Sequence, residues 1–354
     1  MNASKKLRTF LLMLVVGCVG LILFQFGPER FPESGPLVSW YGETMGTTYK
    51  IQLADVTLSD EELDELTKEV DAELVAVNDA MSTYISDSEI SRFNRIESTE
   101  EAMPISPRFQ EVVQRSREIF QATGGAFDPT LGPLIDLWGF GADDAEVSSP
   151  GPEQVADRLE HVGMEQIDLV DGALRKNDIR VEINLSAIAK GYAVDQLVEL
   201  LREKGFEHVY VEIGGEVSCL GLNDSGVPWR IGIQLPERDA SATVLGIVSL
   251  VNRALATSGD YRNYLEDNER NRHHIIDPRT GFPAGHTLAS VSVLAEDCIT
   301  ADAVATALYV MGTQEGMAWL ETRPDVDAYF IDRSEDGFRF TATSGFEDAL
   351  IAGP

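Results

Sequence analysis

Asn184-Leu185-Ser186-Ala187-Ile188-Ala189-Lys190-Gly191-Tyr192 is the stretch from which the fold reads outward. A β-branched run, Val181 to Ile183, leads into it, and beyond it Ala193, Leu197, Leu200 and Leu201 recur at helical spacing. A strand is therefore expected to run into a helix over about Ser186 to Lys204. A doubly wound sheet would need strand and helix to keep alternating on either side. They do not. Downstream, His208 to Ile213, Arg230 to Ile233, Val244 to Val251 and Ala289 to Leu294 read as strands with no helical pattern between most of them. Upstream, Thr48 to Leu53 reads as a strand followed by two helices. The first has Ser59 and Glu62 as a capping box before Leu63, Leu66, Val70, Leu74 and Val77. The second opens at Ser106-Pro107, carries Phe109, Val112, Val113 and Phe120, and closes at Gly124. A further helix is expected over Thr300 to Met311, with Ala303, Ala307, Leu308 and Val310 on its apolar side. Mixed order of this kind implies an α+β fold, one catalytic domain of mixed sheets with packed helices.

The 354 residues are ample for a buried core. Their charge is lopsided, 28 Lys and Arg against 59 Asp and Glu, net −31. Such a surface repels nucleic acid, so a nucleic-acid partner is not expected. It reads as a solvated acidic face, a saline habitat or a basic docking partner, and an anionic ligand would be helped by a bound divalent cation. At the N-terminus Lys5, Lys6 and Arg8 precede an apolar run from Phe10 to Phe26. Val15-Val16-Gly17-Cys18 resembles a lipobox, whereas continued hydrophobicity past Cys18 suits an uncleaved anchor, at about 17 residues the short limit for a span. Residues 1–27 are thus a signal or membrane anchor, 28–37 a Pro/Gly/Glu linker, and 38–354 the catalytic domain, outside the cytoplasm. Cys219 and Cys298 are expected as buried free thiols, with a disulfide between them open in that compartment.

Five segments carry chemistry. Gly124-Gly125-Ala126-Phe127-Asp128-Pro129-Thr130, with Trp138-Gly139-Phe140-Gly141, offers close backbone approach and aromatics to flank a flat ring, or simply a turn after a helix. Around Asn184 to Tyr192, helix amides with Lys190 nearby suit a phosphate or a ring's polar edge, although Ser186 can equally be an N-cap. Val211-Glu212-Ile213-Gly214-Gly215-Glu216-Val217 reads as a strand broken at two glycines, explained by a β-bulge, with two carboxylates beside them. Ala256-Thr257-Ser258-Gly259-Asp260-Tyr261-Arg262 leads to His273-His274-Ile275-Ile276-Asp277-Pro278-Arg279-Thr280-Gly281, where the Asp-Pro-x-x-Gly turn holds a strand end carrying His274, a candidate base for an alcohol proton, or a structural histidine. Asp302 and Thr306, at i and i+4, share a helix face, and a carboxylate with a hydroxyl suits a hard cation; a first-turn carboxylate complementing the helix dipole is the alternative.

In this order and spacing, together with Glu43-Thr44-Met45-Gly46-Thr47-Thr48-Tyr49, Met81-Ser82-Thr83-Tyr84, Ser88 to Asn94 and Met311-Gly312, these segments resemble the FAD:protein FMN transferase family, the ApbE-type flavin transferases. The resemblance implies an FAD pocket lined by Met45, Tyr84, Ala126, Phe127 and Asp128, with Lys190 and Ile276 touching the cofactor. Asn184 stands where many members carry an Asp that contacts FAD. Mg2+ is implied at the Asp302 carboxylate, the Thr306 hydroxyl and backbone oxygens near Ala187 and Ala305, with His274 acting as or placing the base. The implied reaction moves FMN from FAD to a Ser or Thr hydroxyl of a target protein and releases AMP. Implied acceptors carry Ser/Thr-Gly-Ala-Thr-like motifs, on subunits of the sodium-pumping NADH:quinone reductase, the Rnf complex and some exported flavoprotein reductases. The implied location is the periplasmic face of the bacterial inner membrane, held by a helix or by lipidated Cys18. With water as acceptor the same residues make an FAD pyrophosphatase, and without chemistry an FAD-binding lipoprotein. No GxGxxG fingerprint points to a nicotinamide-linked redox enzyme.

Overall fold

A computed structural model of the protein describes residues 34–141, 150–237, 243–260, 264–266 and 271–353. The leader or anchor expected at 1–27, Cys18 included, and most of the linker lie outside the described residues. Among those described, no helix is long and apolar enough to cross a membrane.

The strands in chain order are β1 (Leu37–Thr44), β2 (Thr47–Ala54), β3 (Ala102–Pro104), β4 (Ile167–Val170), β5 (Ala173–Lys176), β6 (Val209–Ile213), β7 (Glu216–Leu220), β8 (Trp229–Gln234), β9 (Val244–Leu250), β10 (Arg253–Gly259), β11 (Tyr264–Glu266), β12 (Asn271–His273), β13 (Leu288–Ala295), β14 (Asp327–Ser334), β15 (Gly337–Ala342) and β16 (Leu350–Ala352). The helices are α1 (Asp60–Met81), α2 (Glu89–Asn94), α3 (Pro107–Ala122), α4 (Gly132–Leu137), α5 (Pro152–Leu159), α6 (Ala189–Glu203), α7 (Cys298–Leu320) and α8 (Ser344–Ala349).

The framework is an eight-stranded sheet in the order β1-β2-β6-β7-β10-β13-β14-β15. Every neighbouring pair in it is antiparallel. Both faces are covered, so strand alternation sorts side chains between two cores. Val217, Cys219, Leu255 and Leu294 face the small sheet β16-β9-β8. Ala254, Ala256, Val291 and Val293 face α6 and α7. Two of those four are alanines, which lets α7 lie close on β10. Cys219 and Cys298 are both buried and free.

Helix starts follow their caps. Ser59 and Glu62 form the expected capping box on α1, and Ser106 caps α3 with Pro107 in the first turn. Two helices begin elsewhere than expected. α6 starts at Ala189, not Ser186, because Asn184 Oδ1 accepts the Ser186 amide at 3.0 Å and turns the chain once more before the helix. α7 starts at Cys298, capped by Asp297, and runs on to Leu320 through a break at Gly312 (φ 73°, ψ 172°).

The expected strand at Val181 to Ile183 is not one. It makes an isolated bridge, Glu182 to Leu131. Its backbone is satisfied by a side chain instead: Asn94 accepts from Ile183 N at 2.9 Å and donates to Ile183 O at 2.9 Å. The glycines at 214 and 215 are also corrected. Ile213 pairs with Glu216, so they form a two-residue hairpin turn, both with positive φ (61° and 105°), rather than a bulge.

Candidate active site

Loops and helix starts at one edge of the sheet enclose a cleft of about 920 Å³, at the upper end of the range for ligand pockets. Met45, Tyr84, Ala126, Phe127, Asp128 and Asn184 line it, as do Ala187, Lys190, His274, Ile276, Asp302 and Thr306. Far apart in sequence, these residues meet because the hairpin turns and helix starts carrying them lie together around the cleft.

Met45 and Gly46 are the turn between β1 and β2, with Thr44 paired to Thr47. Met45 takes φ 51°, a conformation uncommon for a side chain of its kind, and this strained turn brings it to the cleft. Tyr84 is 75 % exposed at the rim, an aromatic face with no protein cover. Below it, Asp128 is buried, and its Oδ1 accepts from the amide (2.8 Å) and hydroxyl (2.6 Å) of Thr130. Burial pushes the Asp128 carboxyl up to about 6, against the pull of those two bonds and with help from the Glu165 charge. Asn184 is held by its own amide on Pro129 O at 2.7 Å, and its Oδ1 makes the turn to Ser186. An Asp there could accept the same bond, so the departure to Asn costs a charge and keeps the turn.

The deepest part lies where α6 meets α7. Gly191 N donates to Asp302 Oδ2 at 2.9 Å. Asp302 Oδ1 lies 3.6 Å from Lys190 Nζ, which also lies 3.3 Å from Glu216 Oε1. Asp302 and Glu216 are only 4 % and 2 % exposed, so the ammonium shared between them offsets a large desolvation cost. One turn along α7, the Thr306 hydroxyl is 3.2 Å from that of Ser258 on β10. Thr306 is the one residue from Ala301 to Val310 that is not fully buried.

Two adjacent histidines are sorted to opposite sides. His273 is packed edge-on to Tyr309, with Nε2 2.9 Å from Ala284 O, and burial lowers its basicity. His274 lines the cleft, edge-on to Phe140 at 6.3 Å. The turn beneath it is rigid. Gly281 N donates to Asp277 O at 2.8 Å, and the Trp138 indole donates to Gly281 O at 2.8 Å. Trp138 thus braces the turn from a separate apolar cluster with Leu134, Val155 and Ile276. Neither Trp138 nor Phe140 lines the cleft; of the aromatics that do, Phe127 has a fully buried side chain and Tyr84 is exposed.

Among the described residues no cluster of three or more His, Cys, Asp or Glu is placed to hold a metal. The cleft instead offers hard oxygens: the Asp302 carboxylate, the Thr306 hydroxyl and the loop at Ala187. One carboxylate with water and substrate phosphate completing the shell is the habit of Mg2+, so the residues fit that ion. Ala305 is fully buried and off the lining. Among further polar residues on the lining are Glu216 and Ser258, which stand in the segments Val211–Val217 and Ala256–Arg262. Strand alternation, which puts both on the helix-facing side, is the sequence signal that places them.

Fold and cleft together define a class: an antiparallel α+β protein whose helix starts and hairpin turns enclose one large pocket with buried carboxylates and an ammonium at its base. The chain matches the ApbE family model over residues 45–330. It is 41% identical over 340 residues to the FAD:protein FMN transferase of Vibrio cholerae serotype O1, covering 96% of each chain. In structure it is similar to a flavin transferase ApbE from Vibrio cholerae, with TM-score 0.81 and 40% identity over 89% of this chain and 99% of that one. It is also similar to the apo form of a Pseudomonas stutzeri flavinyl transferase ApbE, with TM-score 0.81 and 33% identity over 91% of this chain and 99% of that one. The chain belongs to the ApbE family.

Proposed function

We propose that this protein transfers FMN from FAD to a Ser or Thr hydroxyl of a partner protein, releasing AMP. The observation that carries it is the convergence of His274, Lys190, Asp302 and Thr306 on one cleft whose other walls hold Met45, Tyr84 and Ala126 to Asp128. The acceptor oxygen attacks the phosphorus on the FMN side of the pyrophosphate, the bond to the bridging oxygen breaks, and AMP leaves with the electron pair. His274 takes the hydroxyl proton, from a position fixed by the Asp277–Gly281 turn. Lys190 binds phosphate oxygens, and Tyr84 offers an exposed aromatic face to the rings. Mg2+ at Asp302, Thr306 and the Ala187 loop would supply Lewis-acid stabilisation of charge growing on the pyrophosphate. A signal or anchor at 1–27, as the sequence there reads, supports a reaction at the periplasmic face of the inner membrane. The acceptors are then exported segments with Ser/Thr-Gly-Ala-Thr-like motifs, of the sodium-pumping NADH:quinone reductase or Rnf type.

Mass spectrometry of such an acceptor domain after incubation with the enzyme, FAD and Mg2+ tests this. The expected result is a mass gain of one FMN on Ser or Thr, absent with EDTA. Free FMN and AMP without acceptor labelling would instead establish a pyrophosphatase, and intact FAD a binding protein.

A further inference from the structure

The Lys190 ammonium stands in the cleft with a buried carboxylate on either side, Glu216 at 3.3 Å and Asp302 at 3.6 Å. Asp302 belongs to the cation-binding donor set proposed above. Glu216 does not: it comes from the other wall, the first residue of β7 after the Gly214-Gly215 turn, on the same strand face as Ser218. With both acids ionised, the trio carries one net negative charge, in a protein whose total is already −31. A pyrophosphate entering this cleft meets an ammonium whose charge is already shared by two acids. A divalent cation entering first meets an attractive potential, and by taking the Asp302 carboxylate it frees Lys190 from one of its two partners.

We propose that Glu216 is a positioning residue that sets the order of binding at this site: by sharing Lys190 with Asp302 it holds the trio at the base of the cleft one negative charge in excess, so that a divalent cation binds readily alone and a pyrophosphate binds well only with the cation present. The inference rests on the reading of the cleft as an FAD and Mg2+ site. It goes beyond that reading by giving Glu216 a role that requires no contact with FAD. Lys190 supplies the positive charge beside Asp302, and it would turn towards phosphate if a metal ion took that place.

The geometry makes a signed prediction that a packing role does not. Glu216→Gln keeps the shape and removes one negative charge, so Mg2+ alone should bind about tenfold more weakly. That is the scale of one unit charge about 6 Å from a divalent ion when water screens the pair almost fully, and a lower effective dielectric enlarges it. The same variant should bind FAD better than wild type in EDTA, because Lys190 is then shared with one acid instead of two. Lys190→Gln removes a positive charge, so Mg2+ alone should bind about tenfold more tightly, while FAD binding weakens with or without the ion. Loss of packing would weaken both ligands in both variants and could not move Mg2+ affinity in opposite directions.

The experiment is calorimetric titration of the whole exported domain with MgCl2 alone, then with FAD in EDTA and in excess Mg2+, for wild type, Glu216→Gln and Lys190→Gln. Thermal unfolding of each without ligand registers any fold defect separately. Opposite shifts in Mg2+ affinity, with tighter EDTA-state FAD binding by Glu216→Gln, are the expected result. Unchanged Mg2+ and FAD binding by Glu216→Gln, in a wild type whose FAD binding does respond to Mg2+, overturns the role of Glu216 and leaves the site assignment standing. A wild type that binds FAD with no response to Mg2+ overturns the cation assignment and this inference with it. Equal weakening of Mg2+ in both variants reduces the trio to a structural ion pair.

Discussion

A methyl group on the Cα of Gly191 would lie 2.3 Å from the Cys298 carbonyl oxygen and 2.8 Å from Asp302 Cβ. Both are parts of α7 that cannot swing aside, so the two helices must separate for it to fit. Gly191→Ala is therefore expected to destabilise the fold by about 1–3 kcal/mol, the usual cost of overpacking a tight contact. Because the amide of Gly191 also holds Asp302 at 2.9 Å, the same variant should lose Mg2+ response out of proportion to its stability. Denaturant unfolding with and without MgCl2 checks both parts. A variant destabilised by that amount but with wild-type Mg2+ binding would show that the amide does not orient Asp302. At this scale much was legible: His274, Lys190, Asp302 and Thr306 all reach the cleft, since each stands next to a turn or on a helix face that its own neighbours define. Glu216 was harder to place, because its importance arises from Lys190, 26 positions earlier in the chain, and no local pattern records that distance.

Helix α7 shows how one element is secured for the site it carries. Its first four amides all find partners. Cys298 N and Ile299 N donate to the two carboxylate oxygens of Asp195 on α6, each at 2.8 Å. Thr300 N donates to the Asp297 side chain at 3.0 Å, and Ala301 N to the Asp297 carbonyl at 3.2 Å. Burial pushes the Asp195 carboxyl up to about 7, against those two amide bonds and with the Asp297 charge adding to the rise. A carboxyl raised on folding lends stability that is complete below its ordinary value of 3.8 and is lost as pH rises through its folded value. Wild type should therefore lose stability between about pH 4 and pH 7 relative to Asp195→Asn, which keeps one acceptor and does not ionise. Asp195→Ala, leaving buried amides unpaired, should cost about 1–3 kcal/mol at any pH in that window. Urea unfolding across the window checks this; parallel pH profiles for wild type and Asp195→Asn would mean that Asp195 does not titrate there. The start of α7 was misplaced from sequence for the same reason. Its apolar periodicity begins beyond Thr300, while half of its capping comes from Asp195, about a hundred residues away in sequence. The non-strand at Val181 to Ile183 is the matching case: its β-branched composition promises a ladder, and the Asn94 side chain supplies the bonds instead.

For the whole molecule, α+β order was legible because strands joined by short turns pair antiparallel, as β1–β2, β6–β7 and β14–β15 do. The strand order was not, since it depends on which faces the helices cover. Charge acts at this scale too. A protein of net charge −31 repels FAD, itself an anion, over distances longer than any contact in the cleft. At 0.1 M ionic strength the screening length is about 10 Å, and at 0.01 M about 30 Å, so added salt removes the long-range repulsion while leaving the buried trio nearly untouched. Association of FAD with the Mg2+-loaded protein should accordingly speed up as NaCl rises from 0.01 to 0.15 M, by roughly two- to tenfold, at the low end of steering effects on rates. Dissociation, governed by contacts inside the cleft, should change far less. Stopped-flow flavin fluorescence at fixed free Mg2+ separates the two rates. Slower association with salt would mean that the cleft mouth carries a positive local potential strong enough to outweigh the surface, and would move the search for acceptor partners from basic segments to acidic ones.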